Sequence, residues 1–131
     1  MKNKNIISGV FALAVLLSVG LGCSQHGTKL ETDGGNLYYT TNVTKIEAQD
    51  LLDYLVQENF YGGQNMFIQL DKSGSSYQFR LIVKPEYQND KSYREACKLF
   101  AEELSSNVFN DASVEVHICD DNFETIRVVK P

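Results

Sequence analysis

The sequence is short of the groups from which most active sites are built. It holds two histidines and three cysteines, and none of them falls in a paired zinc-ligand spacing. There is no glycine-rich nucleotide loop, and no nucleophile set beside an evident base. The chain is also poor in positive charge, with 12 Lys and Arg against 17 Asp and Glu for a net charge of -5. Nucleic acid is thereby excluded as a partner, because phosphate binding needs clustered Lys and Arg. No acidic residue precedes Glu31, while Lys2 and Lys4 lie near the start. With those two lysines accounting for +2, the chain beyond position 22 carries -7. A domain of about 95 residues buries around two-thirds of its unfolded surface, so it needs no disulfide, metal or cofactor to hold it.

The beginning of the chain reads as an export signal. Met1 to Asn5 is a short basic head, Ile6 to Val19 is an uncharged apolar run, and Gly20 and Gly22 lead to Cys23. Basic, apolar and small segments in that order make a secretory leader. The stretch from Ile6 to Gly22, 17 residues, is at the short limit for a spanning helix, the other reading. Leu21-Gly22-Cys23-Ser24 resembles the bacterial lipoprotein cleavage box, in which the cysteine becomes the acylated, palmitate-bearing N-terminus. Gly20 departs from that family's preference for a branched apolar residue three before the cysteine. The resemblance implies a signal peptide over 1–22, membrane attachment through Cys23 and an address at the cell envelope. In a cell with two membranes, Ser24 after the cysteine implies the outer membrane, on its periplasmic side.

Residues 23–36 read as the lipidated cysteine and a flexible tether. They are rich in Gly, Thr and Asp and have no apolar period. Thirteen such residues would let the domain hang clear of the lipid surface, with His26 a solvated linker residue.

Residues 37–131 read as a single domain built on a repeat. Shifting the sequence by 48 positions lays Thr44–Leu70 on Ser92–Ile118 without a gap. Each copy predicts a capped helix and then a strand. Thr44 with Glu47, and Ser92 with Glu95, have capping-box spacing. Ala48, Leu51, Leu52 and Leu55 recur at steps of three and four, and Cys97 lies in the matching stripe of the second helix. Strands are predicted at Leu37–Thr41, Met66–Leu70, Tyr77–Val83, Val114–Ile118 and Thr125–Val129. The order β-α-β-β-α-β with a terminal strand predicts an α+β, ferredoxin-like duplicated βαβ fold. Two right-handed crossovers would place both helices on one face, with spatial strand order 2-3-1-4-5.

The organisation resembles the SPOR domain, a bacterial peptidoglycan-binding module that is also a duplicated βαβ unit. The likeness rests on Glu47-Ala48-Gln49-Asp50-Leu51-Leu52, Tyr77-Gln78-Phe79-Arg80-Leu81 and Glu95-Ala96. The chain departs from it at Lys84-Pro85-Glu86, where that family often has a Gly-Pro-Phe-like turn. The run Val114 to Asp120 and the Tyr-Gln-Phe-Arg strand are also similar to small bacterial envelope lipoproteins, a likeness that implies no activity.

Strand phase places Phe67, Gln69, Gln78, Arg80, Ile82, Glu115 and His117 on the sheet face away from the helices. Phe67, Gln69, Gln78, Arg80 and His117 are the candidate ligand-binding residues. Arg80 would offer its planar fork to carboxylates of wall peptides, and Phe67 would stack on a sugar face. Both side chains point away from the core, so replacing them should leave folding nearly intact. The function expected is that of a non-catalytic binding or scaffold module of the envelope, with peptidoglycan or an envelope protein as partner. Two alternatives stand beside it. The same face could mediate self-association, or simply be solvated. His117, Cys119 and Asp121, alternating along one strand edge, could serve a metal-handling or enzymatic protein instead. Cys97 and Cys119 fall on opposite sides of the sheet, which predicts no bridge between them.

Overall fold

The computed structural model describes residues 26–131. Cys23 and the leader lie outside the described residues. The chain forms β1 (Thr28–Thr32), β2 (Gly35–Tyr39), α1 (Lys45–Gln57), β3 (Ile68–Ser73), β4 (Ser76–Ile82), α2 (Lys91–Asn107), β5 (Val114–Cys119) and β6 (Thr125–Val129). A short 3-10 turn, Pro85–Tyr87, precedes α2. No helix among the described residues is long and apolar enough to cross a membrane.

The fold is α+β, a six-stranded mixed sheet with two helices. The strands lie in chain order, β1-β2-β3-β4-β5-β6, not in the interleaved 2-3-1-4-5 order that the repeat predicts. The cause is β1, in the stretch expected to be a tether. Asp33-Gly34 closes a two-residue hairpin, with Gly34 at φ 95° and Thr32 paired with Gly35. Its strand takes one edge of β2, and β3 takes the other through Tyr38↔Gln69 and Tyr39↔Leu70. No edge of β2 remains for β5, which pairs in parallel with β4 instead.

This order changes the crossovers as well. β2-α1-β3 and β4-α2-β5 are both parallel units, but β3 and β4 are antiparallel, so the units run in opposite directions. Both step the same way across the sheet. Both helices lie on one face, since Asn107 of α2 donates to the Tyr54 hydroxyl of α1 at 3.4 Å. The two crossovers are therefore of opposite hand, where two right-handed ones were expected. Left-handed crossovers make up only about 2% of such connections.

The first capping box forms as the sequence predicts. The Glu47 amide donates to Thr44 Oγ1 at 3.1 Å, and the Thr44 amide to Glu47 Oε1 at 2.7 Å. The second does not. Asp90 caps α2 by accepting from the Tyr93 amide at 3.1 Å, which leaves Ser92 inside the first turn. Aspartate is among the strongest N-caps, and the turn at Pro85–Tyr87 delivers the chain to it two residues early. Helix and strand consequently follow different registers. Ile68 and Leu70 match buried Val116 and Ile118 at a shift of 48, but Ala48, Leu52 and Leu55 match Cys97, Ala101 and Leu104 at a shift of 49.

The core lies between the helices and one sheet face. Leu51, Leu52 and Leu55 of α1 and Ala101 and Leu104 of α2 form one buried cluster with Leu37, Ile68, Leu70, Val114, Val116 and Ile118 of the sheet. Phe79 fills the middle, edge-on to Phe60 and Phe100. The shift between registers separates two leucines that the repeat aligns, since Leu51 is fully buried and Leu99 is 62% exposed. Leu51→Ala is expected to cost about 2–5 kcal/mol, and Leu99→Ala less than about 0.5 kcal/mol. Urea midpoints of the two variants check this, and equal losses would contradict the observed helix register.

Candidate functional site

The sheet face away from the helices carries one row of side chains across all six strands. Lys29, Tyr38, Gln69, Arg80, His117 and Val128 are successive cross-strand partners. Strand alternation puts them there, because Leu37, Ile68, Leu70, Phe79, Leu81, Val116 and Ile118 must face the helices.

Arg80 is the centre of this row, and its guanidinium is already engaged. Nε donates to Gln69 Oε1 at 2.8 Å. Nη1 lies 3.3 Å from Gln78 Oε1, 3.0 Å from Thr125 Oγ1 and 3.2 Å from His117 Nδ1. Nη2 donates to the Phe123 carbonyl at 2.5 Å. Gln69 and His117 are only 8% and 7% exposed. The sequence places Arg80, Gln69, Gln78 and His117 on this face correctly, and the structure brings all four together. Their role differs from the expected one, because the fork is spent on the protein itself instead of being offered to a ligand.

His117 is fixed on both sides. Arginine has only donors, so the 3.2 Å contact with Arg80 is a hydrogen bond only in the tautomer whose Nδ1 accepts, which turns the Nε2 proton toward Glu115 Oε1 at 3.0 Å. Each ring nitrogen has a side-chain neighbour within 3.2 Å. Cys119 was expected to face solvent with His117, but it is fully buried. Its thiol donates to the His117 carbonyl at 3.5 Å. Burial pushes that thiol up despite the opposing field of Arg80 and a hydrogen bond with Thr125. Burial likewise pushes the Cys97 thiol up to about 11. Both cysteines are free, on opposite faces of the sheet, and neither is a ready nucleophile. Among the described residues, no three His, Cys, Asp or Glu side chains converge as a metal site would require.

Beside this network opens a cleft of about 340 Å³, lined by His26, Tyr38, Phe67, Ile82, Asp121 and Phe123. Phe67 is 46% exposed and lines this cleft, and it is not among the hydrogen-bond partners of Arg80. The rings of His26, Tyr38 and Phe123 meet edge-on, with centroids 5.2–6.4 Å apart. Phe123 has φ 60°, a backbone that a bulky residue seldom adopts. Its turn holds it there, since Asp120 Oδ1 accepts from the amides of Asn122 and Glu124 at 2.9 and 3.0 Å. Asp120, Asp121 and Asn122 therefore serve the turn itself. His26, expected in a solvated linker, is pinned by Gln69 Nε2 donating to its carbonyl at 2.9 Å. Gly27 permits this path, because a Cβ there would lie 2.3 Å from the Tyr39 carbonyl oxygen.

The family profile of the AF_1994_N family N-terminal domain matches residues 29–130. The chain belongs to that family. No curated protein and no solved structure matches it. The matched span runs from β1 to the end of β6, so it includes β1 and all the strands that carry the Arg80 row.

Further along β3, Asp71 anchors the loop after β2. Its Oδ1 accepts from Thr40 Oγ1 at 2.6 Å and Asn42 Nδ2 at 3.1 Å. Burial would raise its carboxyl, but those bonds, the Lys72 amide and the field of Arg80 outweigh it and hold the group below its ordinary value. A second apolar groove, of about 330 Å³, lies on the helix face among Phe60, Met66, Phe79, Cys97 and Phe100.

Sequence reasoning missed His26, Tyr38 and Phe123. Tyr38 was legible, since alternation from Leu37 turns it outward. Phe123 was not, because a left-handed aromatic has no sequence signature. The Arg80 network yields a direct test. Arg80→Ala strands the Gln69 amide oxygen, His117 Nδ1 and the Phe123 carbonyl, and is expected to cost about 2–3 kcal/mol. Arg80→Lys should recover less than half, since one ammonium cannot span these acceptors. Unchanged urea midpoints would restore the picture of a free arginine.

Proposed function

We propose that this chain is a lipid-anchored, non-catalytic binding or scaffold module of the bacterial cell envelope. Its anchor is Cys23, and its contact surface is the sheet face opposite the helices. The observation that carries the anchor is the order of basic head, apolar run and Leu21-Gly22-Cys23-Ser24. Non-catalytic contact is supported by the state of the candidate groups. His117 and Arg80 are consumed by mutual hydrogen bonds, and the two cysteines are buried with raised thiols. What the face offers a partner is the aromatic cleft with half-exposed Phe67.

The likeness to SPOR-type modules enters at the level of the repeated βαβ unit, while the strand order is this chain's own. An aromatic cleft suits either the flat face of a sugar or the apolar edge of a lipid surface. The metal-handling or enzymatic reading has less support, because both nitrogens of His117 and the thiol of Cys119 are already committed.

The anchor is tested by labelling. Growth with labelled palmitate should mark the wild-type chain, and Cys23→Ala should accumulate as unlabelled precursor. Label in the Cys23→Ala chain, or none in the wild type, would refute the anchor.

A further inference from the structure

Where the chain enters the fold decides which side of the domain can meet a membrane. It enters on the sheet face, where His26 is held by Gln69 and packed against Tyr38 and Phe123. β1 begins at Thr28, so residues 28–36, expected within a flexible tether, belong to the β1–β2 hairpin instead. Only Ser24 and Gln25 separate Cys23 from His26. Three residue steps reach about 10 Å at full extension. The helices form a separate layer about 10 Å thick on the far side of the sheet. Ten ångströms cannot carry an acylated Cys23 round the sheet and past that layer. On the anchor reading given above, the lipid surface must lie against the sheet face or the edge beside it.

The two sides of the domain differ accordingly. The outer helix surfaces carry exposed Asp50, Asp53, Glu102 and Glu103, suited to water and ill suited to anionic lipid. On the sheet side Phe67 is 46% and Val128 41% exposed. Charges there are mostly met within the protein. Lys29 pairs with Glu31 at 3.4 Å and Lys130 with Glu115 at 3.7 Å, Asp71 is hydrogen-bonded, and Arg80 is enclosed by its network. Asp121 stands at the rim of the cleft. Aromatic groups with one polar end are the residues that settle at a bilayer interface.

We infer that the bare sheet face of this domain seats on the surface of the bilayer that holds its anchor, with the cleft of His26, Tyr38, Phe67, Ile82 and Phe123 receiving lipid. The contact needs no net attraction between charges. The anchor holds the face in place, and the apolar groups at its centre make the contact favourable.

The inference rests on the anchor reading, and one experiment separates the two. The full chain is expressed with labelled palmitate and reconstituted in phosphatidylethanolamine–phosphatidylglycerol vesicles. It carries a photoreactive benzoylphenylalanine either at Phe67 (Phe67→benzoylphenylalanine) or at Leu99 (Leu99→benzoylphenylalanine), on the outer side of α2. Both sites are exposed, so neither change disturbs the core. Palmitate label with at least tenfold more lipid adduct from position 67 than from position 99 supports the inference. Label without that bias, or position-67 adducts to a second copy or to added peptidoglycan fragments instead of lipid, overturns the seating and leaves the anchor standing. Absence of label overturns the anchor and the seating together.

Discussion

A cation on the central strand with no carboxylate partner organises the polar side of this protein. Arg80 distributes its donors over β3, β4, β5 and the β5–β6 turn, through Gln69, Gln78, His117, Thr125 and the Phe123 carbonyl. Neutral acceptors suit a half-buried guanidinium, because each bond to a charged donor is stronger than a neutral one and no second ion need be desolvated. The network reaches further than its members. By holding the Phe123 carbonyl it fixes a left-handed turn, and that turn sets one wall of the cleft. By holding Gln69 it fixes the amide that anchors His26. The point where the chain enters the fold thus depends on a residue 54 positions away.

The second constraint is the β1–β2 hairpin. With both edges of β2 occupied, the sheet has to grow in one direction, and the duplicated units cannot interleave. The cost is a pair of crossovers of opposite hand. The two units differ where such an asymmetry can be absorbed. α1 has 13 residues behind a five-residue connection, whereas α2 has 17 and follows a longer connection that includes a 3-10 turn. The helices remain on one face, and the other is left for the polar row and the cleft.

Much of this was legible in the sequence. The helix stripes, the Thr44 box, the five strands from Leu37 onward and the phase of Gln69, Gln78, Arg80 and His117 follow from spacing alone. What escaped was decided by competition between parts. Thr28–Thr32 has a single apolar residue, Leu30, and reads as a polar linker until Asp33-Gly34 is recognised as a hairpin turn. Ser92 and Glu95 have the spacing of a cap but lose to Asp90, which the chain meets first. The repeat aligns Leu99 with Leu51, yet an earlier helix start rotates Leu99 into water. At the site, alternation assigns a side chain to a face but cannot tell whether neighbours will consume it. Arg80 and His117 were on the expected face and not free.

The account of this face as one closed hydrogen-bond network turns on how His117 is held. Long-range nitrogen–proton correlation of the imidazole at neutral pH reads this directly. The account predicts one fixed arrangement of the ring, with the Nε2 proton toward Glu115 and Nδ1 accepting from Arg80. A ring averaging between tautomers, or one protonated at Nδ1, would contradict it.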